Sequence, residues 1–171
     1  MVASHLRVVS APAGQTVFQR FSRDVARLAF RLVGRDGDVD DLVQDVFLAA
    51  HRSMPVGLPD VEARRWLSTV AVRLAGRRLR RRRIATFFGF GDDGPDELLL
   101  ATGASPETSA VLAQLYRRLD GLPVPERLAW TLRHVENESL DDVARLCRCS
   151  LATAKRRIAK AQLVLTEGTS P

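Results

Sequence analysis

Apolar residues in this chain recur every three to four positions rather than every second one, so the elements the pattern predicts are helices. Val17, Phe18, Phe21, Val25, Leu28, Ala29 and Leu32 form one stripe, which stops at Gly34. Glycine ends helices well because it takes left-handed backbone without a Cβ penalty. Leu42, Val43, Val46, Phe47 and Ala50 form a second stripe, with Asp38 suited to the N-cap. Asp40 and Asp41 then fall in a first turn, whose unpaired backbone N–H groups favour negative charge. MPVGLP at 54–59 breaks the chain. A third stripe, Trp66, Leu67, Val70, Ala71, Leu74 and Leu79, runs into GRRLRRRR at 76–83. Residues 84–105, IATFFGFGDDGPDELLLATGAS, hold five glycines or prolines and no Lys or Arg, and read as a linker. The helical pattern then resumes with Val111, Leu112, Leu115 and Leu119, breaks at GLPVP, and continues with Leu128, Ala129 and Leu132.

The expected architecture is all-α: two small helical domains, residues 15–83 and 105–166, joined by an acidic flexible linker at 84–104. Fully stretched, such a linker reaches about 70 Å at roughly 3.3 Å per residue. Phe87, Phe88 and Phe90 are odd in a free tether, and the reading preferred is that they fold back on a domain.

SLDDVARLCRCSLATAKRRIAKAQ at 139–162 has the layout of a helix-turn-helix, whose second helix starts only eleven residues after the first. Ser139 can cap the first helix, with Asp142 at its third position as a weak capping box, and Ser150 can cap the second. Leu151, Ala154, Ile158, Ala161 and Leu165 form the inward stripe of that second helix. Thr153, Lys155, Arg156, Arg157 and Lys160 remain on its other faces, which suits a helix entering the major groove by its N-terminal end. A plain helical hairpin with a solvated basic face is the competing reading.

Charge sharpens the picture. The net charge is +6, with a pI near 10.5, which favours a polyanionic partner. It alternates in blocks: +5 over residues 1–35, −5 over 36–60, +8 over 61–83, −5 over 84–110 and +3 over 111–171. Such alternation suits separate surfaces for separate partners, or an acidic segment shielding a basic one. Six arginines in eight positions repel one another, and a cluster of that density suits phosphate.

Other chemistries fit poorly. Cys147 and Cys149 are too few for a structural zinc and have no histidine at ligand spacing; they read as small buried hydrophobes. RDGDVDDLVQD at 35–45 fails as a calcium loop, since Asp41 stands where glycine is needed and Phe47 where glutamate is needed. As a two-metal nuclease site it lacks a placed partner base. Asp41, Gln44, Asp45 and Leu48 share one helix face away from the apolar stripe, as a protein-docking surface would. No nucleophile elbow, P-loop or HExxH occurs, so no enzyme and no cofactor is expected. No apolar run approaches the roughly 18 residues that spanning a bilayer needs, and the N-terminal stretch lacks a signal-peptide core; a cytoplasmic protein without membrane insertion is expected.

Three stretches, in order, resemble the extracytoplasmic-function group of bacterial RNA polymerase sigma factors, within the sigma-70 family. DVDDLVQDVFLAAHRSM is similar to that group's clamp-gripping helix, RRWLSTVAVRLAGRRLRRRR to its promoter-melting helix, and LDGLPVPERLAWTLRHVENESLDDVARLCRCSLATAKRRIAKAQ to its C-terminal helix-turn-helix. The resemblance implies a factor that binds core polymerase, directs it to promoters and assists melting. It puts Asp41, Gln44, Asp45 and Leu48 against the polymerase, and Arg73, Arg77, Arg78, Arg80 and Arg81 on promoter DNA near the start site. Ser150, Thr153, Lys155, Arg156, Arg157 and Lys160 would face the upstream element, and an anti-sigma protein is an implied partner.

The chain also departs from the family pattern. Arg73 stands where Asn is usual and Arg77 where Asp is, which alters an element that helps capture an unpaired base and increases backbone attraction. Ser68 replaces a frequent aromatic, removing a stacking surface. Arg148 replaces the common turn glycine, at a cost of about 1 kcal/mol if its φ is positive. The rival readings are a free-standing helix-turn-helix repressor and a metal-dependent nuclease built on the aspartates.

Overall fold

The computed structural model describes residues 13–34, 36–89 and 105–167, and these form seven helices with no strand among them. They are α1 (Ala13–Val33), α2 (Asp36–Ser53), α3 (Asp60–Phe87), α4 (Pro106–Gly121), α5 (Val124–His134), α6 (Leu140–Leu146) and α7 (Leu151–Glu167). The all-α expectation holds, and Phe90 and the rest of the expected linker lie outside the described residues.

Helices α1, α2 and α3 pack on one another over Phe21, Val25, Leu32, Leu42, Val46, Leu67 and Val70, all buried. Gly34 ends α1 as expected: φ is +74° and its N–H donates to the Phe30 carbonyl at 2.8 Å. Asp38 is not the cap of α2, which begins two residues earlier at Asp36. It sits inside the first turn, where its carboxylate pairs with Arg82 at 3.3 Å, an attraction from another helix that local spacing cannot show. The third helix runs past the arginine run to Phe87, so residues 84–87 of the expected linker are helical. Three residues assigned to apolar stripes are exposed: Phe18, Val111 and Leu151. Phe18 spends its ring on an edge contact with Phe47 at 4.8 Å rather than on the core.

The two halves do not stand apart. Val124, Leu128, Ala129 and Leu132 of α5, with Val143, Ala144 and Leu146 of α6, belong to the same continuous core as α1, α2 and α3. A Cβ on Gly76 of α3 would lie 3.2 Å from the Leu128 side chain, so this glycine allows α5 its close approach. Leu119 and Leu122 form a smaller cluster with Ala161 and Leu165 of α7.

Candidate nucleic-acid and polymerase interface

The helix-turn-helix is built as its local sequence requires. Ser139 caps α6: its hydroxyl accepts from the Asp142 N–H at 3.0 Å and donates to the Asp142 carboxylate at 2.7 Å. That hydrogen bond and Arg145 hold the Asp142 carboxyl below the ordinary carboxylate range. Arg148 in the turn takes φ +51°, the conformation in which glycine costs nothing, while the N–H groups of Arg148 and Cys149 bond back to Arg145 and Ala144. Ser150 then caps α7 through the Thr153 N–H at 3.2 Å and also meets the Thr153 hydroxyl at 2.9 Å.

On α7, Ala154, Ala161 and Leu165 are buried and Ile158 half-buried. Lys155, Arg156 and Lys160 are exposed, Arg157 is half-buried, and none of the four has an ion pair among the described residues. Leu151, placed by its spacing on the inward stripe, is 39% exposed, because the first turn of α7 overhangs the core. The Ser150 hydroxyl is spent on Thr153, to whose Oγ1 it donates, so the donors left on this surface are the Thr153 hydroxyl and the cations. Cys147 is half-buried, and burial pushes its thiol up to about 11. Among the described residues no three His, Cys, Asp or Glu side chains converge as metal ligands would.

The other candidate residues meet between α2 and α3. Asp41, Gln44 and Leu48 are exposed and Asp45 half-buried, on one face of α2. Arg78 of α3 lies against that face: it reaches Asp45 at 2.6 Å, Asp41 at 3.4 Å and Asp38 at 4.0 Å. Residues assigned by resemblance to two different partners are therefore joined in this structure. Arg73, Arg77, Arg80 and Arg81, by contrast, are exposed, with no ion pair among the described residues. The split follows helix geometry: Arg78 and Arg82 are on the side that packs against α2, Arg73, Arg77 and Arg81 stand along the rim of the same groove without an ion pair to its carboxylates, and Arg80 lies farther round the helix.

Sequence reasoning missed the residues that join the two halves. Arg127 of α5 is 2% exposed, and its Nη2 donates to the carbonyls of Leu32 at 3.2 Å and Val33 at 3.1 Å. These carbonyls end α1, where no intrahelical donor remains and the helix dipole is negative. Arg82 adds a bond to Val33 O at 3.3 Å, and Asp120 accepts from both guanidinium groups. Burial lowers the Arg127 pKa, and the neighbouring Asp120 opposes that shift. Around this centre, Arg83 donates to Leu122 O at 3.0 Å, Arg31 pairs with Glu136 at 2.9 Å, and Arg145 reaches the Thr69 hydroxyl at 3.3 Å. The only hint in the sequence was the lone basic residue in the apolar run around Leu128, and a buried arginine is uncommon enough that spacing alone would not select it.

Residues 17–84 match the model of Sigma-70 region 2, and residues 112–162 match that of Sigma-70, region 4. The chain is 32% identical over 147 residues to the ECF RNA polymerase sigma factor SigM of Mycobacterium tuberculosis, covering 85% of this chain and 71% of that one. It is 29% identical over 168 residues to the ECF RNA polymerase sigma-E factor of Escherichia coli, covering 89% and 84%. The fold resembles CnrH solved with the cytosolic domain of CnrY, with TM-score 0.61 and 21% identity over 92% of this chain and 89% of that one. It also resembles the sigma factor RpoE of Bartonella quintana solved with the anti-sigma factor NepR, with TM-score 0.60 and 22% identity over 90% and 94%. An acidic helix, an arginine-rich helix and a capped helix-turn-helix, in this order and under these two family models, place the chain among the extracytoplasmic-function sigma factors of the sigma-70 family, which direct RNA polymerase to promoters.

Proposed function

We propose that the two halves divide the work of initiation. Residues 15–83 grip core polymerase through Asp41, Gln44, Asp45 and Leu48 and attract DNA near the start site through the exposed arginines of α3. Residues 105–166 read the upstream element with Lys155, Arg156, Arg157 and Lys160 of α7. The protein works in the cytoplasm and makes or breaks no covalent bond. The observation that carries the reading is the pairing of an exposed, unpaired basic face on α7 with an acidic face on α2 in one chain. A free-standing repressor would use the first face and leave the second idle.

The docked arrangement supports a further part of the reading: an anti-sigma protein holds the halves together, and polymerase separates them. CnrH and the Bartonella RpoE were solved with protein partners of this kind or with the cytosolic domain of CnrY. On α2, polymerase competes with Arg78 of the same half for Asp41 and Asp45, and DNA phosphate takes Arg78 in exchange. The test is a mixture of the purified chain with core polymerase and promoter templates, read by co-elution and by run-off transcription. Replacing Gln44 and Asp45 together with Ala should weaken polymerase binding by roughly tenfold, the scale of a modest interface hot spot, with helicity unchanged. Unaltered affinity defeats the assignment of that face.

A further inference from the structure

The last turn of α3 is not explained by packing. The last buried residue of the helix is Leu79, yet the helix continues for two more turns to Phe87. Ile84 is 58% exposed, Phe87 84% and Phe88 66%, and no described residue covers them. The two rings meet edge to face, with centroids 5.4 Å apart at 88°. Left in water, these side chains forfeit the burial that a pair of phenylalanines normally contributes.

Their position relative to the arginines identifies what suits them. At 100° per residue, Arg73, Arg77, Arg80, Arg81, Ile84 and the Phe87–Phe88 pair fall within one sector of about 120°. Arg78 and Arg82 lie outside it, held by the carboxylates of α2. The exposed lane is thus cationic along most of its length and aromatic at one end. From Arg73 to Phe88 it covers about 22 Å at 1.5 Å per residue, the length of six or seven stacked nucleotides at about 3.4 Å each.

A ligand for this lane must carry phosphates along the first part and offer flat, uncharged faces at the end. Paired DNA satisfies the arginines but keeps its base faces stacked inside the helix. A membrane surface would need apolar residues along the whole lane, not at one end. Single-stranded nucleic acid has both features, since every base has a π face that stacks on an aromatic ring. The helix C-terminus reinforces the order, because its negative dipole end disfavours phosphate and tolerates neutral bases.

We propose that Phe87 and Phe88 are a stacking platform for unpaired bases at the edge of opened promoter DNA, with Arg77, Arg80 and Arg81 holding the phosphates that lead to it. This rests on the reading of α3 as the helix that meets promoter DNA. It also supplies an aromatic surface to a chain that carries Ser68 where a ring is frequent.

The test uses the full chain and labelled oligonucleotides at low salt, read by fluorescence anisotropy. The probes are a blunt duplex, the same duplex with a six-nucleotide unpaired overhang, and that fork with an abasic overhang. Replacing both Phe87 and Phe88 with Ala should weaken binding to the fork on the order of 10- to 100-fold and leave the blunt duplex unchanged, given the usual worth of stacking. The abasic fork should bind the native chain as weakly as the intact fork binds the variant. Because both rings are exposed, far-UV circular dichroism should not change. The double Leu variant should be as weak as Ala; if Leu restores binding, the patch is an apolar docking surface and the stacking proposal is overturned. Equal losses on fork and blunt duplex, or no loss on either, overturn it as well. Core polymerase co-elution on the same samples separates the two readings. Failure of the native chain to co-elute sinks the assignment of function, whereas intact co-elution with unchanged fork binding by the Ala variant sinks only the platform.

Discussion

Replacing Arg127 with Met keeps the length and apolar packing of the side chain and removes its guanidinium, so it isolates the polar lock between the two halves. The native group makes two bonds to the end of α1 and one to Asp120. Charge-assisted bonds contribute about 1.5–3 kcal/mol each, but not all of this is lost. Asp120 keeps Arg82 and is partly exposed, so no buried charge is stranded. Val33 O also keeps Arg82, at 3.3 Å. The Leu32 carbonyl is left buried without that donor, at a cost of about 1–3 kcal/mol, and the end of α1 loses a cation. Against this, Met avoids the desolvation of a buried guanidinium whose Nε has no partner. The balance is about 2–3 kcal/mol, below the 3–5 typical of a broken buried pair, and it shifts the docked-to-open ratio by about 30- to 150-fold. The lost bonds to Leu32 and Val33 cross from one half to the other, so the variant should open rather than unfold. Small-angle scattering should show a larger radius of gyration at unchanged helicity, and core polymerase should bind more readily. An unaltered radius together with an unfolding free energy in urea lowered by under about 0.5 kcal/mol would refute the claim that this arginine closes the molecule.

Three further outcomes are expected. Gly34→Ala forces a side chain into left-handed backbone, and its Cβ would meet the Tyr116 ring at 2.5 Å, so it should cost about 2–3 kcal/mol by urea denaturation. Measured against Tyr116→Ala alone, the same glycine substitution should cost only about 1 kcal/mol, because the steric part is gone and the left-handed backbone remains. Thr131→Val removes a fully buried hydroxyl with no partner while keeping its shape, and should stabilise by about 1 kcal/mol, seen as a rise of about 2–4 °C in melting temperature. Cys147, with its thiol pushed up to about 11, is almost wholly protonated at pH 8; the thiolate is the nucleophile, so alkylation there should run on the order of a hundredfold slower than for a free cysteine, as mass spectrometry of the modified peptide would show.

The features legible in the sequence are those set by interactions within a few residues. The Ser139 and Ser150 caps, the stop at Gly34 and the left-handed turn at Arg148 all depend on bonds reaching no more than five positions along the chain. Helical periodicity likewise found most of the buried residues of α1, α2 and α3, missing Val33, Val39, Ala63, Val72 and Ala75, because a stripe with a 3.6-residue period must face something apolar. It could not tell how far each stripe would be covered. Phe18, Val111 and Leu151 lie on the correct helices but toward their N-terminal ends, where cover is incomplete; Phe18 meets only the edge contact with Phe47.

Tertiary structure alone decided which charges remain available. Nothing in GRRLRRRR separates Arg78 and Arg82 from Arg77, Arg80 and Arg81; the placement of α2 and α4 does, by bringing Asp45 to one pair's side of the helix and Asp120 to Arg82. The burial of Arg127 is of the same kind, since its partners are 94 and 95 positions away along the chain. Local sequence specifies helices because their hydrogen bonds are local. An ion pair between distant residues exists only after the core has brought its members within a few ångströms, so the sequence determined the parts, and helix packing, of α2 on α3 and of one half on the other, determined which cations are left for DNA.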